Sequence, residues 1–135
     1  FRIVVVFLLC FCALTVTCEE EESGTVEKIN SLWICDCGNP SFIGEYKLSE
    51  DDVFDQVASY TTKKGKSVFR NNGFWYVGDV SQWPMKTHYR CVGNEDCPRG
   101  SATPPVPGKW TANKFIEKGA APVLQTSPCT VNDEL

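Results

Sequence analysis

The chain has 135 residues, of which 42% are hydrophobic and 12% are aromatic, a size that suits one domain with one modest core. Its formal net charge is −4, and it becomes −5 if Arg2 leaves with a cleaved leader. A mildly acidic chain without a basic run argues against nucleic acid and anionic membrane as partners, because both demand a basic patch.

The first eighteen residues have the order of a secretory signal peptide. An apolar run over residues 3–14 follows Arg2, and small residues precede the acidic run over residues 19–22. The apolar run is shorter than the roughly 20 residues that a transmembrane helix needs. We therefore expect a signal peptide over residues 1–18, an acidic flexible leader over residues 19–30, secretion, and no membrane contact after cleavage.

The cysteines that follow this leader indicate disulfides in an oxidising compartment; they are Cys35, Cys37, Cys91, Cys97 and Cys129. Cys91 and Cys97 enclose turn-forming residues, so we expect them to pair. Cys129 would then tie the tail back to the strand that carries Cys35 and Cys37. The count is odd unless Cys18 survives processing, and an odd cysteine leaves a free thiol or an intermolecular disulfide.

A metal site built from Cys35, Cys37, Cys91 and His88 is the alternative use of these side chains. Zinc sites usually space paired cysteines by two to four residues, and here one residue separates them. His88 has no recognisable nucleophile motif beside it. We therefore expect no metal, no cofactor and no catalytic residue, with His88 on the surface of a strand.

The first predicted elements are a strand around residues 32–35 and a second over residues 44–48, where apolar and polar residues alternate. The next segment predicts a short helix, because Ser49 is a good N-cap and three acids follow it. Val53, Phe54 and Val57 would share its buried face. The same acids with Asp55 invite a calcium site, but their spacing is not that of an EF-hand loop.

The segment over residues 66–79 predicts a β-hairpin, because Asn72-Gly73 between two β-prone runs favours a two-residue type I′ turn. Phe74 would then lie opposite Asn71, and Tyr76 opposite Phe69. A half-buried strand follows over residues 85–91. Residues 97–108 hold four prolines, which predict an irregular surface loop, or a polyproline segment for a partner's groove. Trp110, Phe115 and residues 121–125 would return the chain to the core.

Several short motifs occur in the same order as in a known module: G-E-Y at 44–46, K-S-V-F at 66–69, G-F-W-Y-V-G-D at 73–79, Trp83, P-P-V-P-G-K-W at 104–110 and A-P-V at 121–123. In this succession the chain resembles a small secreted β module of extracellular proteins in algae, protists and marine invertebrates. The likeness covers about residues 35–127. Ser67 and Phe69 depart from the module's Pro and Tyr.

The resemblance implies a non-catalytic secreted β domain, and it supplies no ligand. The residues predict a mainly β fold over residues 31–129: a small antiparallel sheet domain with a central hairpin, one short helix and disulfide staples. We expect a non-enzymatic matrix or binding protein that contacts carbohydrate or protein through exposed aromatic residues. The candidate surface comprises Trp75, Tyr76, Trp83 and Trp110, unless these side chains fill the core instead. A venom or defence polypeptide is a further hypothesis.

The last four residues, Asn132, Asp133, Glu134 and Leu135, differ from the K-D-E-L retrieval signal only at the first position. They lie in a tail over residues 130–135 that we expect to be flexible. If the signal is functional, the protein is a resident of the endoplasmic reticulum lumen. Secretion and retention are therefore alternative localisations.

Overall fold

The structure is a computed structural model that describes residues 28–130. The predicted signal peptide, most of the acidic leader and the retrieval motif lie outside these residues. The described part holds one 3-10 turn, Pro40–Phe42, and eight strands: β1 Ser31–Ile34, β2 Gly44–Phe54, β3 Val57–Thr61, β4 Lys66–Asn71, β5 Phe74–Asp79, β6 Lys86–Cys91, β7 Thr111–Ala112 and β8 Leu124–Gln125.

All eight strands form one sheet in the order β7-β6-β5-β4-β3-β2-β1-β8. Every neighbouring pair is antiparallel, so the mainly β prediction is confirmed. The antiparallel order sorts the connections into two groups. We call the end with residues 35–43, 62–65, 80–85 and 113–123 the loop end, and the end with residues 55–56, 72–73 and 92–110 the turn end.

The central hairpin has the register that the sequence predicts. Asn71 pairs with Phe74, and the ladder continues to Lys66 and Asp79. Asn72 and Gly73 both have positive φ, 56° and 87°, as a type I′ turn requires. The identity of two turn residues is therefore enough to set the pairing of β4 with β5.

The predicted helix after Ser49 is wrong, because β2 continues to Phe54. Pairing jumps from Ser49–Ser59 to Val53–Ala58, so residues 50–52 bulge out of the ladder. The Ser49 hydroxyl donates a hydrogen bond to Asp52 Oδ2 (2.6 Å), whereas a helix N-cap would accept one from a backbone amide. Tertiary pairing overrides the local helix signal, since Phe54 contacts Phe69 of β4 across the sheet, with ring centroids 5.3 Å apart.

The main core lies on one face of the sheet. Its fully buried side chains come from most of the strands and include Leu32, Ile34, Tyr46, Val68, Trp75, Val77, Tyr89 and Leu124. Trp110 is also buried, at 6% exposure. Phe115, which the sequence predicts to return to the core, is 97% exposed, so this prediction is wrong. Phe69 lies outside the main core and is covered by Phe54 and Tyr76.

Two disulfides are present in the described residues: one is the predicted short loop, and the other selects one of the two cysteines that the sequence left open as partners of Cys129. Cys91 pairs with Cys97, and Cys129 pairs with Cys35. The second bridge closes a separation of 94 residues and, on loop entropy, contributes about 4–5 kcal/mol. Cys37 has no disulfide partner in residues 28–130, which corrects its inclusion among the bridged cysteines. Its buried thiol donates to the Asn39 carbonyl at 3.0 Å.

Candidate binding cleft

An open cleft of about 1050 Å³ lies at the turn end. One wall is the start of β1 with the residues just before it, and the other is the proline-rich segment. Lining residues that bear on its chemistry are Lys28, Asn30, Trp33, Thr103, Pro105 and Lys109.

The cleft forms because β1 is only partly covered on one edge. β8 pairs with Trp33 and Ile34 alone, while β2 pairs with all four residues of β1. Leu32 and Ile34 are fully buried, so the alternation of a strand turns Ser31 and Trp33 away from the core. The Trp33 side chain is half-buried and lies in the cleft wall.

The opposite wall is fixed by hydrogen bonds to the core. The Ser101 carbonyl accepts from Trp75 Nε1 and from an Arg70 guanidinium nitrogen, each at 3.0 Å. Pro104 is buried, and the Trp110 indole donates to the Pro105 carbonyl at 3.4 Å. Because proline fixes its own φ, this wall is held in one extended shape without regular structure.

The charges around the cleft compensate one another. Lys28 forms an ion pair with Glu50 at 2.7 Å, and Lys109 lies 3.7 Å from Asp96. The hydrogen bond from Lys28 lowers the pKa of Glu50. Both pairs are mostly exposed, so they add little stability. Their effect is to leave the lining of the cleft, which mixes polar and apolar groups, close to neutral.

The four aromatic residues of the predicted binding surface do not form one surface. Trp75 and Trp110 lie in the core, at 1% and 6% exposure. Tyr76 is half-buried and stacks on Phe69 with ring centroids 6.0 Å apart. Trp83 is 86% exposed on the connection between β5 and β6. Two of the four therefore pack the domain.

Sequence reasoning missed Trp33 as a candidate for the binding surface. The signal was present in S-L-W-I, because two core aliphatic residues at alternate positions leave the residue between them on the opposite face. Two polar residues near Trp75 and Trp83 in the sequence are engaged within the domain, since Arg70 pairs with Asp55 at 2.9 Å and Gln82 contacts Asp79.

A second polar group lies at the loop end, around His88. The histidine is 16% exposed and its Nδ1 lies 2.6 Å from Glu117 Oε2, so the prediction of a surface histidine is wrong. The cause is a bulge: Val77 pairs with Tyr89 but Gly78 with Thr87, which leaves His88 out of register. A Cβ on Gly78 would lie 2.2 Å from the Lys86 carbonyl oxygen, so the bulge needs glycine.

This group links loops and lacks the features of a nucleophilic centre. Glu117 Oε2 also accepts from Asn39 Nδ2 at 2.6 Å. The backbone amide of Asn39 donates to the Tyr89 hydroxyl at 3.1 Å. Burial raises the pKa of the nearby Cys37 thiol, which disfavours the reactive thiolate. The arrangement thus holds the connections of β1–β2 and β7–β8 against β6.

Metal ligation was weighed for the cysteines and for the acids after Ser49. Cys35 and Cys91 are both in disulfides, so neither offers a thiolate. Within residues 28–130, no group of three or more His, Cys, Asp or Glu side chains is arranged to hold a metal ion.

Comparison of the chain with protein-family models found no match, and neither curated proteins nor solved structures gave one. The resemblance to the secreted β module therefore stays a prediction. Residues 28–130 contain no helix with the length and apolar character needed to span a bilayer.

Proposed function

We propose that this protein is a secreted, non-enzymatic binding protein and that its cleft holds an uncharged carbohydrate. The observation that carries the proposal is the half-buried Trp33 in a nearly neutral cleft whose lining mixes polar and apolar groups. Aromatic rings stack on the apolar faces of sugars, and the hydroxyl and amide groups of Thr103 and Asn30 can exchange hydrogen bonds with sugar hydroxyls.

Secretion is supported by the two disulfides, which are typical of oxidising compartments, and by the predicted signal peptide. The absence of enzymatic activity is supported by the state of the polar side chains. Glu117 and Asp79 are buried in hydrogen-bonded pairs, and the pKa of Cys37 is raised. None of the three is poised as an exposed acid, base or nucleophile.

An extended peptide is the second candidate ligand. Among residues 28–130, no strand pairs with the first half of β1 on the side where β8 ends, and a strand edge of this kind can accept an added strand. This ligand would bind mainly through backbone hydrogen bonds, so its affinity would depend less on Trp33. The two candidates therefore differ in their response to the same substitution.

Titration of neutral oligosaccharides against the full secreted chain, followed by calorimetry, tests the proposal. We expect Trp33→Ala to weaken binding about tenfold or more, as expected for loss of a buried aromatic contact. Trp83→Ala is the matched control, because Trp83 is exposed and lies at the other end of the sheet. Failure of neutral oligosaccharides to bind, or equal loss in both variants, would contradict the proposal.

Localisation is tested separately by expressing the chain with its native ends in cultured cells. We expect the protein in the medium, with an intact mass that shows cleavage near residue 18. A variant extended beyond Leu135 masks the candidate retrieval signal. Retention of the wild type with release of the masked variant would replace secretion by residence in the endoplasmic reticulum lumen.

A further inference from the structure

Exposed apolar side chains are concentrated at the loop end. Six large hydrophobic residues of the described chain are exposed, and Val53 is the one outside the loop-end connections. The two largest are Phe115 at 97% exposure and Trp83 at 86%. They lie on two connections of the same end, Trp83 between β5 and β6 and Phe115 between β7 and β8. Nearly full exposure of two aromatic side chains at one end of the sheet points to a contact surface.

The two connections that carry Phe115 and Trp83 are each held to the rest of the domain by hydrogen bonds. Asn113 donates to the Thr87 carbonyl at 2.9 Å, and its own carbonyl accepts from the amides of Ile116 and Glu117. Glu117 is fixed by His88. The turn between these anchors therefore presents Phe115 outward. The connection that carries Trp83 is held by Asp79, whose carboxylate accepts from the Ser81 backbone amide at 2.9 Å.

The same end carries an excess of positive charge. Its exposed lysines are Lys63, Lys64, Lys86, Lys114 and Lys118. None of them forms an ion pair with another described residue. The acids of these connections are Asp36, which is exposed, and Glu117, which is buried against His88. The negative net charge of the whole chain thus hides a local positive surface.

We propose that the loop end docks on an anionic lipid surface. Trp83 and Phe115 enter the boundary between head groups and acyl chains, while the five lysines contact the lipid phosphates and carboxylates. A sulfated polysaccharide would also attract the lysines, but it offers no apolar phase for the two exposed rings. This docking goes beyond carbohydrate binding and uses the opposite end of the sheet. It also reverses the expectation from net charge that anionic membranes are excluded.

Co-sedimentation of the full secreted chain with vesicles tests the proposal, with phosphatidylcholine alone compared to phosphatidylcholine containing phosphatidylserine. We expect binding to the anionic vesicles only, weakened by added salt. Trp83→Ser and Phe115→Ser should each lower the partition coefficient about tenfold or more. Lys114→Ala and Lys118→Ala should each lower it about fivefold.

Val53→Ser and Arg99→Ala are the matched controls, because these exposed residues lie outside the loop end. Unchanged thermal unfolding verifies that every variant folds. Failure of the wild type to bind anionic vesicles, or equal losses in the control variants, would overturn the proposal. The proposal would also be overturned if the protein were retained on immobilised heparin while Trp83→Ser and Phe115→Ser left vesicle binding unchanged. This pattern would identify a sulfated polysaccharide as the partner.

Discussion

The two ends of the sheet use their charges in different ways. At the turn end, Lys28, Arg70 and Lys109 each meet a carboxylate that is at least partly exposed. At the loop end, the carboxylates of Asp79 and Glu117 are buried, at 9% and 7% exposure, and hold the loops internally. Neither of these two carboxylates is free to pair with the exposed lysines of that end, which form no ion pair within the described residues. A chain with a net negative charge can thus have one nearly neutral end and one cationic end.

The largest difference between the ends should appear on removing a buried carboxylate. Glu117→Ala removes the carboxylate oxygen that His88 and Asn39 share, and loss of the common partner of two part-buried hydrogen bonds costs about 3 kcal/mol. Urea unfolding measures the change in the free energy of unfolding. Glu95→Ala at the turn end is the control, because Glu95 is exposed. A loss below about 0.5 kcal/mol for Glu117→Ala would show that the network is not structural.

The next effect depends on pH and involves Asp79. Hydrogen bonds from Ser81, with Lys66 adding its charge, hold the pKa of Asp79 well below its usual range. A lowered folded-state pKa gives stability that is complete above the ordinary carboxyl value of about 3.9 and is lost as the pH falls toward the folded-state value. Asp79→Asn should therefore be less stable than wild type at pH 6, and the difference should shrink toward pH 2.

Unfolding curves between pH 2 and pH 6 measure this convergence. Asp96→Asn provides the comparison at the turn end, where the Asp96 side chain is 51% exposed and its Lys109 partner is 76% exposed. Parallel curves for wild type and Asp79→Asn across the whole range would contradict the assignment of acid sensitivity to Asp79.

A smaller effect is expected for Arg70, which joins the turn between β2 and β3 to the connection between β6 and β7. Arg70 donates to the Asp55 carboxylate and carbonyl and to the Ser101 carbonyl. Arg70→Ala should cost about 1–2 kcal/mol, since the Asp55 side chain is 30% exposed and water can replace part of the lost hydrogen bonding. Arg70→Lys should recover only part of this loss, because an ammonium group cannot reproduce the fork of donors. Full recovery in thermal unfolding would mean that charge alone matters.

The smallest effect is expected for the ion pair beside the cleft. Lys28 and Glu50 have side chains that are 61% and 65% exposed, and exposed pairs contribute little in water. Lys28→Ala should leave thermal unfolding unchanged at physiological salt. A clear loss of stability that disappears in high salt would show that this pair is more strongly coupled than its exposure indicates.

The sequence predicts best where one residue type dictates the backbone. Asn72-Gly73 predicted the hairpin register, and the short spacing of Cys91 and Cys97 predicted their disulfide, whereas the partner of Cys129 stayed open between Cys35 and Cys37. It failed where long-range pairing decides, as in β2, whose capping signal at Ser49 favours a helix. The turn after β2 was equally hidden, because Asp55 and Gln56 adopt positive φ without glycine. The bulge at His88 depends on β5 and leaves no local signal.

The candidate sites were less predictable than the fold for a related reason. Trp33, Trp75, Trp83 and Trp110 are chemically alike, and only the packed sheet separates cleft, core and exposed loop. The lysines of the loop end are dispersed over residues 63–118, so no basic run marks them. Charge and aromatic content were visible in the sequence, and their grouping was not.

The four tryptophan indoles offer the most direct test of two separate contact surfaces. In a ¹⁵N-labelled chain, a neutral oligosaccharide should shift the Trp33 indole resonance, and anionic bicelles should broaden that of Trp83. The buried Trp75 and Trp110 indoles should respond to neither. If both ligands perturb the same indole, or if neither perturbs Trp33 or Trp83, the account of a carbohydrate cleft and a lipid-facing loop end is contradicted.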